Sequence, residues 1–421
     1  MNRRMCAAVV AAGVAVVMGA TGPVFGAQDR GGATERVSVA ADGTQGDGPS
    51  GGASISGDGR YVVFSSEARN LVPGDTDGDT DVFLRDTRRG TVQRIGDGGY
   101  APSISGNGRY VSYRGHTGSV EGHDYYSGYF LHDRRTGRTE VISLSDDDTP
   151  VSGGFGTAAV MSADGRYVVF DSPLSENGDT SDRTSYGIYL RDREKGTTRL
   201  ISPTVFTSGY WTLGSATISA DGSRIGFSAG QVKPGFESRI YVHDRRAATT
   251  GVFAVNNAGQ PYTQTTVPTF SGDGRYAAFT SSDPALVPDD TNNTYDAFVR
   301  DLRTGDTRRV SLNANGGQSE GSWGGARISA DGRYVAFTSA ATDLVAGDTA
   351  RGPLFLRDLR TGVNVRVSAG QDGAESDNQA LPSAALSRDG SAVVFGSDAT
   401  NLVPGDTNGT ADVFVRRLSR R

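Results

Sequence analysis

Three stretches of this chain place oxygen-bearing side chains at alternating positions: Asp75, Asp77 and Asp81; Asp290, Asn292 and Asp296; Asp406, Asn408 and Asp412. Each has a carboxylate first, a carboxylate or amide two residues on, and an aspartate four residues after that. Ca²⁺ is a hard cation that takes about 6 to 8 oxygens, so it is the ion such loops would hold. EF-hand spacing is absent, because Gly78 falls at the fourth position and no Glu stands at the twelfth. Asx turns capping a hairpin explain the same residues without metal, and the sixth unit, Asp348-Thr349-Ala350-Arg351, dispenses with the pattern. No cofactor is required by anything else in the chain.

Other reactive side chains are sparse. Of the four histidines, His132 and His243 stand where Arg85 and Arg191 stand in sister segments, which makes them repeat variants. His116 and His123 share a loop with Glu121 and Asp124, a set with transition-metal donors. Neither a G-x-S-x-G elbow nor room for a hydrolase domain is present. The sequence therefore points to no catalytic residue.

The phrase Ser54-Ile-Ser-Gly-Asp-Gly-Arg-Tyr-Val-Val-Phe64 recurs in seven units. Its turn residue falls at Asp58, Asn107, Asp164, Asp221, Asp273, Asp331 and Asp389, at intervals of 49, 57, 57, 52, 58 and 58. A period near 55 residues means a solenoid or a propeller. Within each unit the pattern is four short strands rich in β-branched and aromatic residues, separated by Gly and Asp turns. This predicts an all-β, seven-bladed β-propeller of four-stranded antiparallel blades.

The chain opens on a fourth strand, Thr34 to Val39, and ends on a third, Val413 to Leu418. The first would complete the last blade and close the ring, leaving no open edge. The repeated Asp-Gly-Arg-Tyr phrase would then be a structural turn with aromatics filling the space between blades, and the Asp ending each third strand would cap the turn that follows.

The phrases S-x-D-G-R-Y-x-x-F and D-V-F-L-R-D-x-R-x-G resemble the WD40-like (PD40) propeller repeat of TolB and its relatives, over nearly all of residues 34–421. That resemblance implies the propeller fold. TolB is implied to carry six blades and a separate N-terminal domain, whereas seven units stand here.

A basic start at Arg3 and Arg4 runs into an apolar stretch from Ala7 to Ala20. It reads as a signal peptide over residues 1–27, followed by a linker over 28–33 and the propeller over 34–421. The apolar core is about 14 residues, short of the roughly 20 that span a bilayer. Cys6, the sole cysteine, precedes that core, so no lipid anchor is expected. A secreted, soluble monomer is expected. The net charge of −6, made two more negative by loss of Arg3 and Arg4, argues against nucleic acid as a partner.

Strand alternation puts the short, arginine-rich loops on one face, basic in character, and the long, variable, acidic loops on the other. Binding residues concentrate on loops held by a rigid scaffold. The long-loop face, with Phe155, Tyr210, Trp211, Tyr262, Trp323, Asp147 and Glu320, is thus the expected site for a protein or an extracellular glycan. The rival expectation is a polysaccharide lyase or glycosidase with carboxylates at the channel mouth.

Overall fold

The computed structural model describes residues 32–117, 126–151, 158–172, 187–203, 211–213, 216–231, 237–253, 265–345, 348 and 352–418. The expected signal peptide lies outside them. Among the described residues no helix is long and apolar enough to cross a membrane.

Seven antiparallel sheets follow one another along the chain, as the repeat predicts. The first blade is built from Ser50–Ile55, Tyr61–Ser66, Asp81–Asp86 and Thr91–Gly96. The second and third strands of a blade are covered by neighbouring blades on both faces, so they read as apolar runs without alternation. Val62, Val63 and Phe64 are all fully buried. The fourth strand lies at the rim and alternates exposed with half-buried residues.

In each blade an aromatic from the second strand packs on one from the third. Phe64 with Phe83, Phe279 with Phe298 and Phe395 with Phe414 lie 5.7 to 5.8 Å apart, nearly parallel. Burying such a ring is worth roughly 1.5–3 kcal/mol, and the pairing adds about 0.5–1.5 kcal/mol. The repeat thus encodes the core.

The ring closes as expected. Ala33–Arg36 pairs with Asp412–Arg417, completing a blade whose first two strands are Ala380–Leu386 and Ala392–Ser397. The first strands of consecutive blades touch around the centre, and backbone hydrogen bonds just past them run from blade to blade. Gly57 donates to Gly106, Asn107 to Ala163, Ala163 to Ala220, Asp221 to Gly272, Gly272 to Ala330, Asp331 to Arg388, and Arg388 back to Gly57. This belt has no break.

The Asp-Gly-Arg-Tyr phrase is a brick in which every residue has a mechanical use. Asp58 Oδ1 accepts from Ser56 Oγ at 2.6 Å and from the Arg60 amide at 3.0 Å, forming the turn. Each Gly holds a positive φ, and at Gly222 (φ 69°) a Cβ would also stand 2.6 Å from the Tyr167 ring of the preceding blade. Arg60 forks onto Asp86 through Nε at 2.9 Å and Nη2 at 2.6 Å.

The same ion pair joins Arg109 to Asp133, Arg166 to Asp192, Arg275 to Asp301 and Arg333 to Asp358, while in the fourth blade Ser223 takes the arginine's place and Arg224, at the tyrosine position, meets Asp244. The third-strand Asp caps its turn as expected, Asp86 accepting the Arg88 amide at 3.1 Å, and it has this second partner as well. In the last blade both partners change: Ser391 replaces the Arg and Arg417 the Asp. Arg417 reaches into the first blade instead, donating to the Gly59 carbonyl at 3.1 Å and to Thr87 Oγ1 at 2.7 Å.

Candidate functional site

The short-loop face is expected to be basic, yet its arginines are largely committed within the fold. Arg60, Arg109, Arg166, Arg275 and Arg333 are paired as above. Arg134 and Arg245 lie 3.5 and 4.0 Å over the Tyr61 and Tyr167 rings of the preceding blades, and Arg246 meets Asp221 at 2.7 Å. Hydrogen bonds from Arg60 and Arg109 hold Asp86 and Asp133 well below the usual carboxylate range. Arg88, Arg89, Arg135, Arg303 and Arg360 are exposed there.

The aspartate loops also meet arginine, supplied by the fourth strand. In the last blade Arg36 lies 3.1 Å from Asp406 and 3.4 Å from Asp412. In the fifth, Arg309 lies 3.4 Å from Asp290 and 3.5 Å from Asp296. Neutral donors complete both sites. Gln45 donates to Asp406 at 2.9 Å, Asn408 to Asp412 at 3.4 Å and Ser38 to Asp412 at 2.6 Å. Gln318, Asn292 and Ser311 repeat those contacts at 3.3, 3.2 and 2.5 Å. Burial raises the carboxyl pKa of Asp296 and of Asp412. In the sixth blade Arg366 takes Asp348 at 3.1 Å and Glu375 at 2.8 Å.

The first blade departs from this pattern. Ligand oxygens of Asp75, Asp77 and Asp81 all lie within 4.8 Å of one another. Arg94 faces them through a single nitrogen, Nη1, at 2.9 Å from Asp81, 3.5 Å from Asp97 and 3.8 Å from Asp75. Desolvation, and then repulsion from Asp81, raise the Asp75 carboxyl pKa.

The aromatic and acidic candidates do not gather. Phe155, Tyr210 and Tyr262 lie outside the described residues. Trp211 begins the interrupted first strand of the fourth blade, its backbone paired with Gln231. Trp323 stands in the first strand of the sixth blade, nearer the inner belt by register, where it pairs with Thr338 and is half-buried. Glu320 is exposed just before it. Asp147 is exposed between the second and third blades, far around the ring, and is used by its own turn: it accepts from Ser145 Oγ and from the Thr149 amide, and those bonds lower its pKa.

His132 and His243 behave as repeat variants. Their Nδ1 atoms lie 3.0 and 2.9 Å from Thr139 and Thr250 Oγ1, as Arg191 and Arg300 meet Thr198 and Thr307. Of the second-blade histidine cluster, His123, Glu121 and Asp124 lie outside the described residues.

The sequence reading passed over Arg327. It stands on the inner ring, paired with Ala336, at the register position that Ser54, Ser103, Val160, Thr217, Thr269 and Ala385 hold in the other blades. Those residues are short and uncharged; Ser54 and Thr269 accept amide hydrogen bonds from the next blade's first strand. Arg327 turns back along its own strand, its Nη1 beside Gly325 and 3.4 Å from the Ala326 carbonyl. Among the described residues no carboxylate pairs with it, and burial lowers its pKa from the ordinary guanidinium value. A register comparison between units would have exposed it: one arginine in a column of small residues. Arg388, in the belt among glycines and alanines, is a second such departure, exposed at the short-loop end.

Fold and inner ring together define a closed seven-bladed β-propeller whose departures from its own repeat include the first-blade aspartate loop and Arg327 in the channel. No family model matches the chain, and no curated protein does. Among solved structures it is similar to an oligogalacturonate lyase from Vibrio parahaemolyticus, with a TM-score of 0.55 at 14% identity over 92% of this chain and 97% of that one. It is also similar to the β-propeller domain of the Trilobed protease from Pyrococcus furiosus, with a TM-score of 0.54 at 12% identity over 89% of this chain and 96% of that one. A protein from Agrobacterium tumefaciens described as TolB matches at 18% identity over 78% of this chain and 95% of that one, with a TM-score of 0.37. At these identities the first two likenesses support the fold alone.

Proposed function

We propose that the chain is a secreted, non-enzymatic binding propeller that takes a carboxylate-bearing extracellular glycan into the long-loop mouth of its channel. The observation behind this reading is Arg327, a half-buried guanidinium on the channel wall with no anionic partner among the described residues. A charge left without a counter-ion in such a place is costly unless something supplies one. A planar carboxylate matches a guanidinium fork in both charge and geometry.

The long-loop mouth is the favoured approach because the other end of the belt is ringed by the turn aspartates Asp58, Asp164, Asp221, Asp273, Asp331 and Asp389. Trp323, four residues before Arg327 at that long-loop mouth, offers a face for a sugar ring. An acidic glycan also suits an acidic protein better than nucleic acid does, since its charges are more widely spaced than those of a phosphate backbone.

The test is calorimetric titration with polygalacturonate and with neutral dextran at low ionic strength. Polygalacturonate should bind and dextran should not. Loss of a charge-assisted hydrogen bond is worth about 1.5–3 kcal/mol, so Arg327→Gln should weaken binding by roughly 10- to 100-fold, with a smaller loss in Trp323→Ala. Undiminished binding by Arg327→Gln would refute the reading. Release of unsaturated sugar products would replace it with a lyase.

A further inference from the structure

The fifth and last blades show how a two-aspartate loop is neutralised in this fold. Two carboxylates meet one enclosed arginine, leaving a formal charge of −1, and a glutamine, an asparagine and a serine donate to their oxygens, with Asp290 Oδ2 receiving no hydrogen bond. In the first blade the asparagine becomes Asp77, an acceptor only. The connector Asp97-Gly98-Gly99 has no glutamine to offer and adds Asp97 instead. The serine becomes Gly96, and only here is the donor replaced, by the Gly98 amide at 2.7 Å from Asp81.

Four carboxylates therefore face Arg94 alone, a formal charge of −3. Asp75, 7% exposed, has an Oδ1 that receives no hydrogen bond. The other cation nearby, Arg69, lies over Gly78 and donates to the Asp77 carbonyl at 3.2 Å, outside the carboxylate cluster.

We propose that Asp75, Asp77 and Asp81, with Asp97 at the open edge, form a Ca²⁺ site peculiar to the first blade, and that the ion displaces the Arg94 guanidinium. With Arg94 displaced, the four carboxylates and the ion carry a formal charge of −2, against −4 for the carboxylates alone. The donors are all oxygen, which excludes a soft-metal preference. Ca²⁺ holds oxygens at about 2.3–2.6 Å, so ligands on opposite sides lie up to about 5 Å apart, whereas Mg²⁺ demands about 4.2 Å. The oxygens, within 4.8 Å of one another, are close enough to share one ion of the larger size. Arg94, whose side chain is 28% exposed, has solvent to swing into. This inference is independent of the channel reading.

Calorimetric titration of the purified chain with CaCl₂ after chelator treatment, alongside thermal unfolding, gives the test. One Ca²⁺ should bind per chain and raise the unfolding temperature, with MgCl₂ a weak competitor. Asp77→Asn restores the amide found in the other blades and should weaken Ca²⁺ by roughly 10- to 100-fold. Asp97→Asn, at an exposed position (73%), should weaken it less while leaving the fold intact. Absence of binding to the unmutated chain would overturn the proposal, as would unchanged affinity in both variants.

Discussion

Arg416 and Arg327 are both arginines on strands enclosed by the propeller, and they differ in what meets them. Arg416 is fully buried on the third strand of the last blade, and its Nη1 donates to Thr34 Oγ1 at 2.9 Å, the Ala369 carbonyl at 3.0 Å and the Gly370 carbonyl at 3.2 Å. Arg85 does the same for the Val39 and Ala40 carbonyls, and Arg357 for Leu312. These arginines tie each blade to the connector that precedes it. Arg327 lies on the inner wall with one long contact to its own strand. A repeat fold that supplies partners for its charges wherever a position recurs makes the charge without a recurring position the informative one.

Substitution should separate the two arginines by the largest effect expected here. Arg416→Met keeps the bulk of the side chain but removes three hydrogen bonds from a charged donor at the ring closure, such bonds being worth about 1.5–3 kcal/mol each less the relief of no longer burying a charge, so urea unfolding should show a loss on the order of 3 kcal/mol. Arg327→Gln should change stability by less than about 0.5 kcal/mol or raise it, because a half-buried charge with no counter-ion among the described residues disappears. Equal losses in the two would mean that Arg327 is another tie.

A smaller, pH-dependent effect tests the same third-strand position where histidine replaces arginine. Burial lowers the pKa of His132 and His243 below the ordinary 6.5. The folded state then binds fewer protons than the unfolded state as pH falls past that ordinary value. Stability should therefore be lost on acidification from about pH 6.5 down to the lowered folded values. The double variant His132→Arg, His243→Arg installs the residue of the other blades and should flatten this part of the urea-midpoint profile, with carboxylate titration remaining in both proteins.

The propeller, the blade number and the closure were legible because the core repeats: Phe64, Phe83 and their counterparts appear at fixed offsets, and the unpaired strands at the two ends announce each other. The pairing of Arg60 with Asp86 was not legible, since the two lie 26 residues apart on strands whose register only the folded blade fixes. Asp75, Asp77 and Asp81 were singled out correctly as a cluster, but their difference from Asp290 and Asp406 was not. That difference rests on Asp77, which stands where those two loops have asparagine, and on Gln45, Gln318, Ser38 and Ser311, which come from the connectors and have no counterpart in the first blade. Arg327 was missed because attention to aromatic and acidic loops passes over the innermost strand.

The smallest effect concerns the bends that shape the channel wall. The first strands of the first, second and sixth blades slip register near their outer ends, between Gly51 and Ser54, Tyr100 and Ser103, and Trp323 and Arg327. Gly52 and Gly324 take the left-handed conformation there at φ 57° and 69°, but the second blade places Ala101 at φ 51°. A left-handed L-residue costs roughly 1–2 kcal/mol, and the greater freedom of glycine in the unfolded chain offsets about 0.5–1 kcal/mol of any relief. Ala101→Gly should therefore stabilise the protein by about 0.5–1 kcal/mol, read as a raised urea midpoint with unchanged slope, and Gly52→Ala should cost a similar amount. If both leave the midpoint in place, the bends are compliant, and the wall that carries Trp323 and Arg327 is less fixed than the belt of hydrogen bonds beneath it. If both shift as expected, the bend is imposed by the ring, and the tryptophan at its outer end and the arginine below it are held in a set relation before any ligand arrives.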